Sequence, residues 1–308
     1  MTASSRPLTG RVALVAGATR GASRAIAVEL ARAGALVYAT GRSSASAGRS
    51  EIDRPETIED TGDLIAAVGD GCALVVDHLD ISAVADLVGQ IESEKGRLDI
   101  LVNGLFGGDI YAQFGDKLWE HNLERGLRML RLGIDGHVIT AHQLLPLMLR
   151  EPGSLLIELT DGTTEYNRSY RKDQGFFYDL VKASTERMTG ALQYEMAQHG
   201  GTAVAVTPGW LRSEAMLDLF GVGADNWREA LAAEPHFVIS ESPTFVARGI
   251  ASLAEDPDRN RFGGSVVSSF ELASLYDFDD IDGTRPDAWR YIVEVQDRGL
   301  PADDSGFR

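Results

Sequence analysis

The sequence predicts an α/β fold, a Rossmann-like doubly wound parallel sheet of about seven strands in the order 3-2-1-4-5-6-7 with helices on both faces. Three observations predict it. Short apolar runs alternate with longer segments of helical period, the pattern of successive βα units. Hydrophobic residues make up 44% of the chain, enough to cover a buried parallel sheet on both faces. The length of 308 residues suits one α/β domain with elaborations, or at most two small domains.

The elements follow in order. Residues 12–16 are wholly apolar and read as the first strand, with 21–34 as its helix and 36–40 as strand two. The stretch 43–54 is rich in Ser, Ala and Arg and reads as a loop. A helix over 57–68 precedes strand three at 73–77, where the apolar run Cys72 to Val76 ends. Ser82 caps a helix that runs to about 94. Strand four is 98–103, and a helix over 130–149 stops at Glu151-Pro152-Gly153. Strand five at 155–159, a helix over 176–199, strand six at 203–207, a helix over 243–254 and a last strand at 265–268 complete the set. Right-handed crossovers join them into one sheet. Residues 1–275 are expected to form this one domain, with insertions at about 161–175 and 210–239 and an extension at 276–308. Trp289, Tyr291 and Ile292 of that acidic extension pack on the domain or on a partner subunit, and 301–308 are expected to be disordered.

Composition removes several classes of function. The formal net charge of -17 repels nucleic acid and anionic membrane. No stretch reaches membrane-spanning length, and the N-terminus from Met1 to Arg6 lacks an apolar signal core. A single cysteine, Cys72, forms no internal disulfide and fits a reducing compartment, so a soluble cytoplasmic protein is expected. No internal repeat is present and no metal site is assigned.

The turn after strand one, Gly17-Ala18-Thr19-Arg20-Gly21-Ala22-Ser23, carries the chemistry of a dinucleotide cradle. Gly17 allows the tight turn, and Gly21 lets the backbone approach a pyrophosphate at the helix N-terminus. Three residues separate the glycines, and Ser23 stands where a third glycine is usual. Strand two ends at Gly41-Arg42 with no carboxylate for a ribose 2′-hydroxyl, so Arg42 and Arg20 point to a 2′-phosphate and to NADP(H) rather than NAD(H); two solvated arginines are the alternative. Asp77, followed by His78, either accepts a hydrogen bond from an adenine amino group or caps a loop. Asn103 beside Gly104 marks close approach to a nicotinamide ribose, a bridge between strands, or both. Pro208-Gly209 makes a rigid turn at the carboxyl edge. Tyr178 and Lys182 lie at i and i+4 of a helix and so share a face, where the ammonium is expected to lower the phenol pKa.

As an ordered set, these motifs resemble the short-chain dehydrogenase/reductase family over roughly residues 10–269. Gly41-Arg42 and the stretch Gly133-Ile134-Asp135-Gly136-His137 are similar to its subgroup of dehydrogenase/reductase family member one and bacterial relatives. The resemblance implies an NADP(H)-dependent carbonyl reductase or alcohol dehydrogenase acting on a small-molecule substrate. It also implies Tyr178 as general acid and base and Lys182 on the nicotinamide ribose. Helices 130–149 and 176–199 resemble the surfaces the family uses for pairing, which implies a homodimer or homotetramer. There are departures. Asp161 falls at the family's serine position with Thr160 just before it, Gly133 replaces a helix asparagine, and Asn103-Gly104-Leu105-Phe106 replaces Asn-Asn-Ala-Gly. An ionised Asp161 repels a developing alkoxide, whereas Thr160 supplies a hydroxyl. These departures leave open a catalytically weak or silent NADP(H)-binding regulatory protein. The glycine spacing disfavours an epimerase or dehydratase.

The insertion 161–175 carries Tyr166, Arg168, Tyr170, Arg171 and Lys172, and 210–237 carries Phe220 and Trp227. They form either an aromatic lid over the nicotinamide or the glue that holds the insertions to the domain. The cations either select a carboxylated substrate or form a solvated loop face.

Overall fold

The computed structural model of the chain describes residues 6–171 and 173–308; the readings placed on the first five residues and on Lys172 lie outside them. Strands β1 (Val12–Ala16), β2 (Leu36–Gly41), β3 (Asp70–Val75), β4 (Ile100–Asn103), β5 (Leu155–Leu159), β6 (Thr202–Thr207) and β7 (Val266–Ser268) form one parallel sheet. Its order is β3-β2-β1-β4-β5-β6-β7, as the sequence predicts. The register runs Val12↔Leu36, Ala13↔Ile100, Ile100↔Leu155 and Leu155↔Thr202.

Alternate residues of each strand face opposite layers. Ala13, Val15 and Val102 meet Ile26 and Leu30 of α1 (Gly21–Arg32), Ile58 and Ile65 of α2 (Ile58–Ala66), and Val246 and Ile250 of α8 (Pro243–Glu255). Leu14, Leu101 and Leu156 meet Val84, Leu87 and Ile91 of α3 (Ile81–Lys95), Leu144 and Leu147 of α5 (Gly136–Met148), and Met196 of α6 (Phe176–Met196). Each fully buried Leu or Ile stabilises the fold by about 1.5–3 kcal/mol.

Several boundaries differ from expectation, each for a local reason. β3 begins at Asp70 rather than 73, because this edge strand exposes Asp70 and Gly71 and hides its start in polar sequence. The cap of α3 is Asp80, whose Oδ1 accepts from the amides of Ser82 and Ala83 at 2.9 and 3.2 Å, and not Ser82 itself. The helix expected from 130 starts earlier, as α4 (Leu123–Leu130) capped by Asn122. It passes through a π turn at Arg131–Asp135 into α5. The exposed Leu123 and Leu127 of α4 give no core signal.

Beyond the sheet, α9 (Ser269–Tyr276) is an additional helix, closed by a reciprocal Ser268–Glu271 capping box. The expected disorder of 301–308 is overturned. Phe307 packs edge-on against Tyr291 of α10 (Ala288–Tyr291) at 5.4 Å. Arg308 pairs with Asp282 at 3.0 Å and donates to the Ser240 carbonyl at 3.1 Å. An apolar cluster of Ile239, Ala288, Tyr291 and Val295 lies beneath them. Among the described residues, no helix is long and apolar enough to cross a membrane, and no group of three or more His, Cys, Asp or Glu side chains could hold a metal.

Candidate active site

A cavity of about 540 Å³ opens at the carboxyl edge of the sheet, beside the point where strand order reverses between β1 and β4. Gly17, Thr19, Arg20 and Ala22 line one side, Arg42, Asp77 and His78 the far end, and Gly104, Phe106, Thr160 and Pro208 the near end. The cradle needs its glycines. Gly17 sits at φ +77°, and a Cβ there would lie 2.8 Å from the Gly104 carbonyl oxygen, while one on Gly104 would collide with Ser23 Oγ. The turns after β1 and β4 therefore touch backbone to backbone.

The first turn of α1 is receptive to an anion. Its N-cap, Arg20, makes no side-chain cap. Instead Glu214, at the start of α7 (Glu214–Leu219), accepts from the Gly21 amide at 2.9 Å and lies 3.4 Å from Arg24. Arg20 Nη1 is buried with no hydrogen-bond partner, with Glu56 4.0 Å away. Arg42 stands 2.8 Å from Glu51 and 3.9 Å from Asp77. Carboxylates of the chain thus occupy the Gly21 amide and the Arg42 guanidinium, Arg20 Nη1 stays without a hydrogen-bond partner, and these groups, complementary to phosphates, fit a dinucleotide.

Behind the near end, where Phe106 and Thr160 line the cavity and Tyr178, Lys182 and Asp161 do not, the first turns of α6 bring Tyr178 and Lys182 onto one face, with the ammonium 5.2 Å from the phenol ring centroid. The Tyr178 hydroxyl donates to Asp161 Oδ2 at 2.8 Å, and Arg171 Nη1 reaches the same oxygen at 3.1 Å. Lys182 Nζ lies 3.8 Å above the Phe106 ring, which meets Tyr178 edge-on at 5.8 Å. Burial pushes the Asp161 carboxyl up, but Arg171, Lys182 and the phenol's hydrogen bond outweigh it and hold the pKa below the usual carboxylate value. Burial, followed by the charges of Asp161 and Asp109, pushes the Tyr178 phenol well above its ordinary value. Burial lowers Lys182, against the opposing pull of Asp161 and Asp109.

The family model described as short chain dehydrogenase matches residues 11–220. The chain belongs to the short-chain dehydrogenase family. It is 30% identical over 283 residues to dehydrogenase/reductase SDR family member 1 of Mus musculus, covering 90% of this chain and 85% of that one. The human protein of the same name is 27% identical over 289 residues, with the same shares covered. Among solved structures, the Pseudomonas aeruginosa RhlG/NADP active-site complex superposes with a TM-score of 0.69 at 24% identity, covering 86% of this chain and 96% of that one. A putative NAD(P)-dependent gluconate 5-dehydrogenase from Beutenbergia cavernae with bound NADP gives 0.68 at 22%, covering 88% and 99%. These structures bear on the fold.

Against that family pattern, the site residues divide. Gly17, Thr19, Arg20, Ala22, Arg42, Asp77, Gly104, Thr160 and Pro208 all face the cavity, and Gly21 closes its first turn. His78 also borders it, yet its ring nitrogens bridge Thr40 and Thr140 at 2.8 and 2.7 Å, so the imidazole serves the core. Asp77 caps its own turn through the Leu79 amide at 2.9 Å. Asn103 is fully buried and donates to the His137 carbonyl and to Glu158, both at 3.2 Å, the bridging role. Gly209 donates to Glu241 at 2.9 Å, and burial pushes that carboxyl up to about 8. The Thr160 hydroxyl is engaged with the Lys182 carbonyl at 3.3 Å, so Asp161 and not Thr160 meets the phenol. The expected lowering of the phenol pKa by Lys182 is reversed, because burial, and after it the charge of Asp161, raises it.

At the substrate end, Phe220 and Trp227 stack around Phe237 at 4.9 and 6.0 Å as glue for the insertion. Leu211, Ser213 and Ala215 line the cavity instead. Arg168 is exposed, and Arg171 alone of the two described cations enters the site. The buried pair of His137 and Glu158 beneath Leu105 escaped the sequence reading. Its signal was a charged residue inside the apolar strand Leu155–Leu159. Glu214 had no comparable signal. Its substitution Glu214→Gln is expected to tighten dinucleotide binding about twofold to fivefold by removing a competing charge at the helix terminus. Fluorescence titration checks this; unchanged or weaker binding goes against it.

Proposed function

We propose that this short-chain dehydrogenase is an NADP(H)-dependent oxidoreductase that interconverts an alcohol and a carbonyl group, with Tyr178 as general acid and base and Lys182 as its partner. The observation that carries the reading is the convergence of the phenol and the ammonium on one face of α6 beside a glycine-cradled cavity. The dinucleotide, when bound, supplies or takes the hydride. Gly17, Gly21 and Gly104 would let the backbone approach it, and Arg20 and Arg42 would hold its 2′-phosphate. Pro208, whose carbonyl accepts from Trp289 Nε1 at 2.9 Å, fixes the turn at the near end of the cavity. Tyr178 holds the proton that is exchanged with the substrate oxygen. The bound NADP of the Pseudomonas and Beutenbergia structures supports the choice of cofactor.

Activity against a panel of small alcohols, ketones and aldehydes with each dinucleotide tests the reading. Turnover of none, with tight NADPH binding, would favour the alternative of a silent NADP(H)-binding regulatory protein. That alternative draws on Phe106, which lies between the cavity and Lys182. Arg42→Ala is expected to weaken NADPH about tenfold or more, as loss of a charge-assisted hydrogen bond of about 1.5–3 kcal/mol requires, and to leave NADH nearly unchanged. An unchanged affinity ratio removes Arg42 from cofactor choice. The same reading includes a homodimer or homotetramer in the cytoplasm, built on exposed Leu123, Leu127, Leu180 and Tyr194, and one domain over 1–275 with the extension 276–308 closing its substrate end.

A further inference from the structure

We propose that Asp161 is the proton acceptor behind Tyr178, and that the resting site is set for oxidation of an alcohol. The proposal rests on the acid–base reading of Tyr178 above. Its first support is the hydrogen bond itself: the phenol donates to Asp161 Oδ2 at 2.8 Å, and Arg171 holds that carboxylate from the other side at 3.1 Å. The second is access. The Asp161 side chain is 30% exposed, so it connects the phenol to solvent.

The lysine side of the phenol is closed by comparison. Lys182 is 9% exposed and its ammonium is capped by the Phe106 ring at 3.8 Å. Residue 133 is glycine because a Cβ there would clash with Val181 Cγ1, and the Phe106 ring packs over it, 3.4 Å from where that Cβ would stand. Phe106 thus forms an apolar plug over Lys182, leaving the partly exposed Asp161 as the polar neighbour of the phenol.

The charged and titratable groups facing this dyad are Arg171 from the 161–175 insertion, Lys182 from α6 and Asp109 from the loop after β4, with Tyr166 stacked 5.2 Å from the Arg171 guanidinium. Their sum leaves Asp161 ionised and Tyr178 protonated at neutral pH, one proton shared by the two. In alcohol oxidation the carbinol O–H gives its proton to Tyr178 Oη as the phenol proton passes to Asp161 Oδ2 and on to water. The carbinol C–H leaves with its electron pair as hydride to the oxidised pyridine dinucleotide, and the C–O bond becomes C=O. The reverse reaction needs either a phenolate beside a carboxylate, which repel, or a protonated Asp161, which is scarce at neutral pH.

The sign follows from the lowered carboxyl. Oxidation is expected to be flat through neutral pH and to fall as pH drops through the Asp161 pKa. Reduction is expected to fall about tenfold per pH unit above it, because it draws on the protonated carboxyl. The test pairs these rate profiles with titration of the cofactor-free protein by carbon NMR of ring-labelled tyrosine, with Tyr178→Phe assigning the resonance. Asp161→Asn is expected to lower the phenol pKa by about one unit or more, to slow oxidation at neutral pH at least about tenfold, and to move its limb onto the phenol. Asp161→Glu is expected to retain the acid-range limb. A phenol titration unmoved in Asp161→Asn, or a native-like flat profile in that variant, overturns the proposal. Should Asp161→Asn fail to fold, the native profile decides: an oxidation limb at the phenol's own titration overturns it. Full turnover by Tyr178→Phe would instead overturn the underlying acid–base reading, so the two failures are distinguishable.

Discussion

Tyr178→Phe is expected to lower turnover about a hundredfold to ten-thousandfold while leaving the fold and dinucleotide affinity nearly intact. The change removes one oxygen and keeps the ring, so the edge-on contact with Phe106 and the approach of Lys182 survive. Asp161 loses a donor but keeps Arg171 and its partial exposure, so it is not stranded. The loss should therefore fall on kcat and not on binding, the signature of a group that acts in the transition state. Steady-state kinetics with separate dinucleotide titration checks it. A variant within about threefold of native turnover would remove the phenol from the chemistry.

Acid should destabilise the native protein through His78 more strongly than through any single surface group. Burial is the main cause, with the nearby His137 charge second, and together they push this imidazole down to about 3. The unfolded chain takes up the proton near pH 6.5, whereas the folded chain refuses it until about pH 3. Stability is thus unaffected above pH 6.5 and falls by about 1.4 kcal/mol per unit as pH drops from there, about 2.7 kcal/mol by pH 4.5. His137 works in the opposite sense. Burial lowers its pKa but Glu158 outweighs that and raises it, so its contribution is present in acid and is lost as pH rises through the folded value. Comparing the native protein with His78→Gln isolates the first effect. Denaturant unfolding at pH 7 and 4.5 should show a smaller pH loss in the variant; equal losses would mean that His78 takes its proton in the folded state.

The sheet was legible because its strands are apolar and parallel, so strand order and crossovers leave few topologies. The cradle was legible too, since Gly17 and Gly104 are demanded by backbone geometry that sequence records directly. What stayed hidden was pairing between distant side chains. Glu214 lies 193 positions from Gly21, and no periodicity links them. Asp161 was identified at its position, but its effect on Tyr178 depends on Arg171, which arrives from an irregular insertion. The direction of the phenol shift failed because Lys182 shares the helix with Tyr178, whereas the burial of the phenol and its hydrogen bond to Asp161 arise only in the fold. The ordered end of the extension was missed because its hold comes from Arg308 and Phe307, two residues in an otherwise polar run.

That hold has a bearing on synthesis. Trp289, which braces the Pro208 carbonyl, and Arg308, which ties down the Ser240 carbonyl, are translated after every strand of the sheet. A nascent chain still tethered at the ribosome has the parts of its phosphate cradle in hand while the wall of its substrate end is unbraced. Dinucleotide affinity should thus mature ahead of catalysis on the ribosome, because Trp289 and Arg308 follow the cradle in chain order.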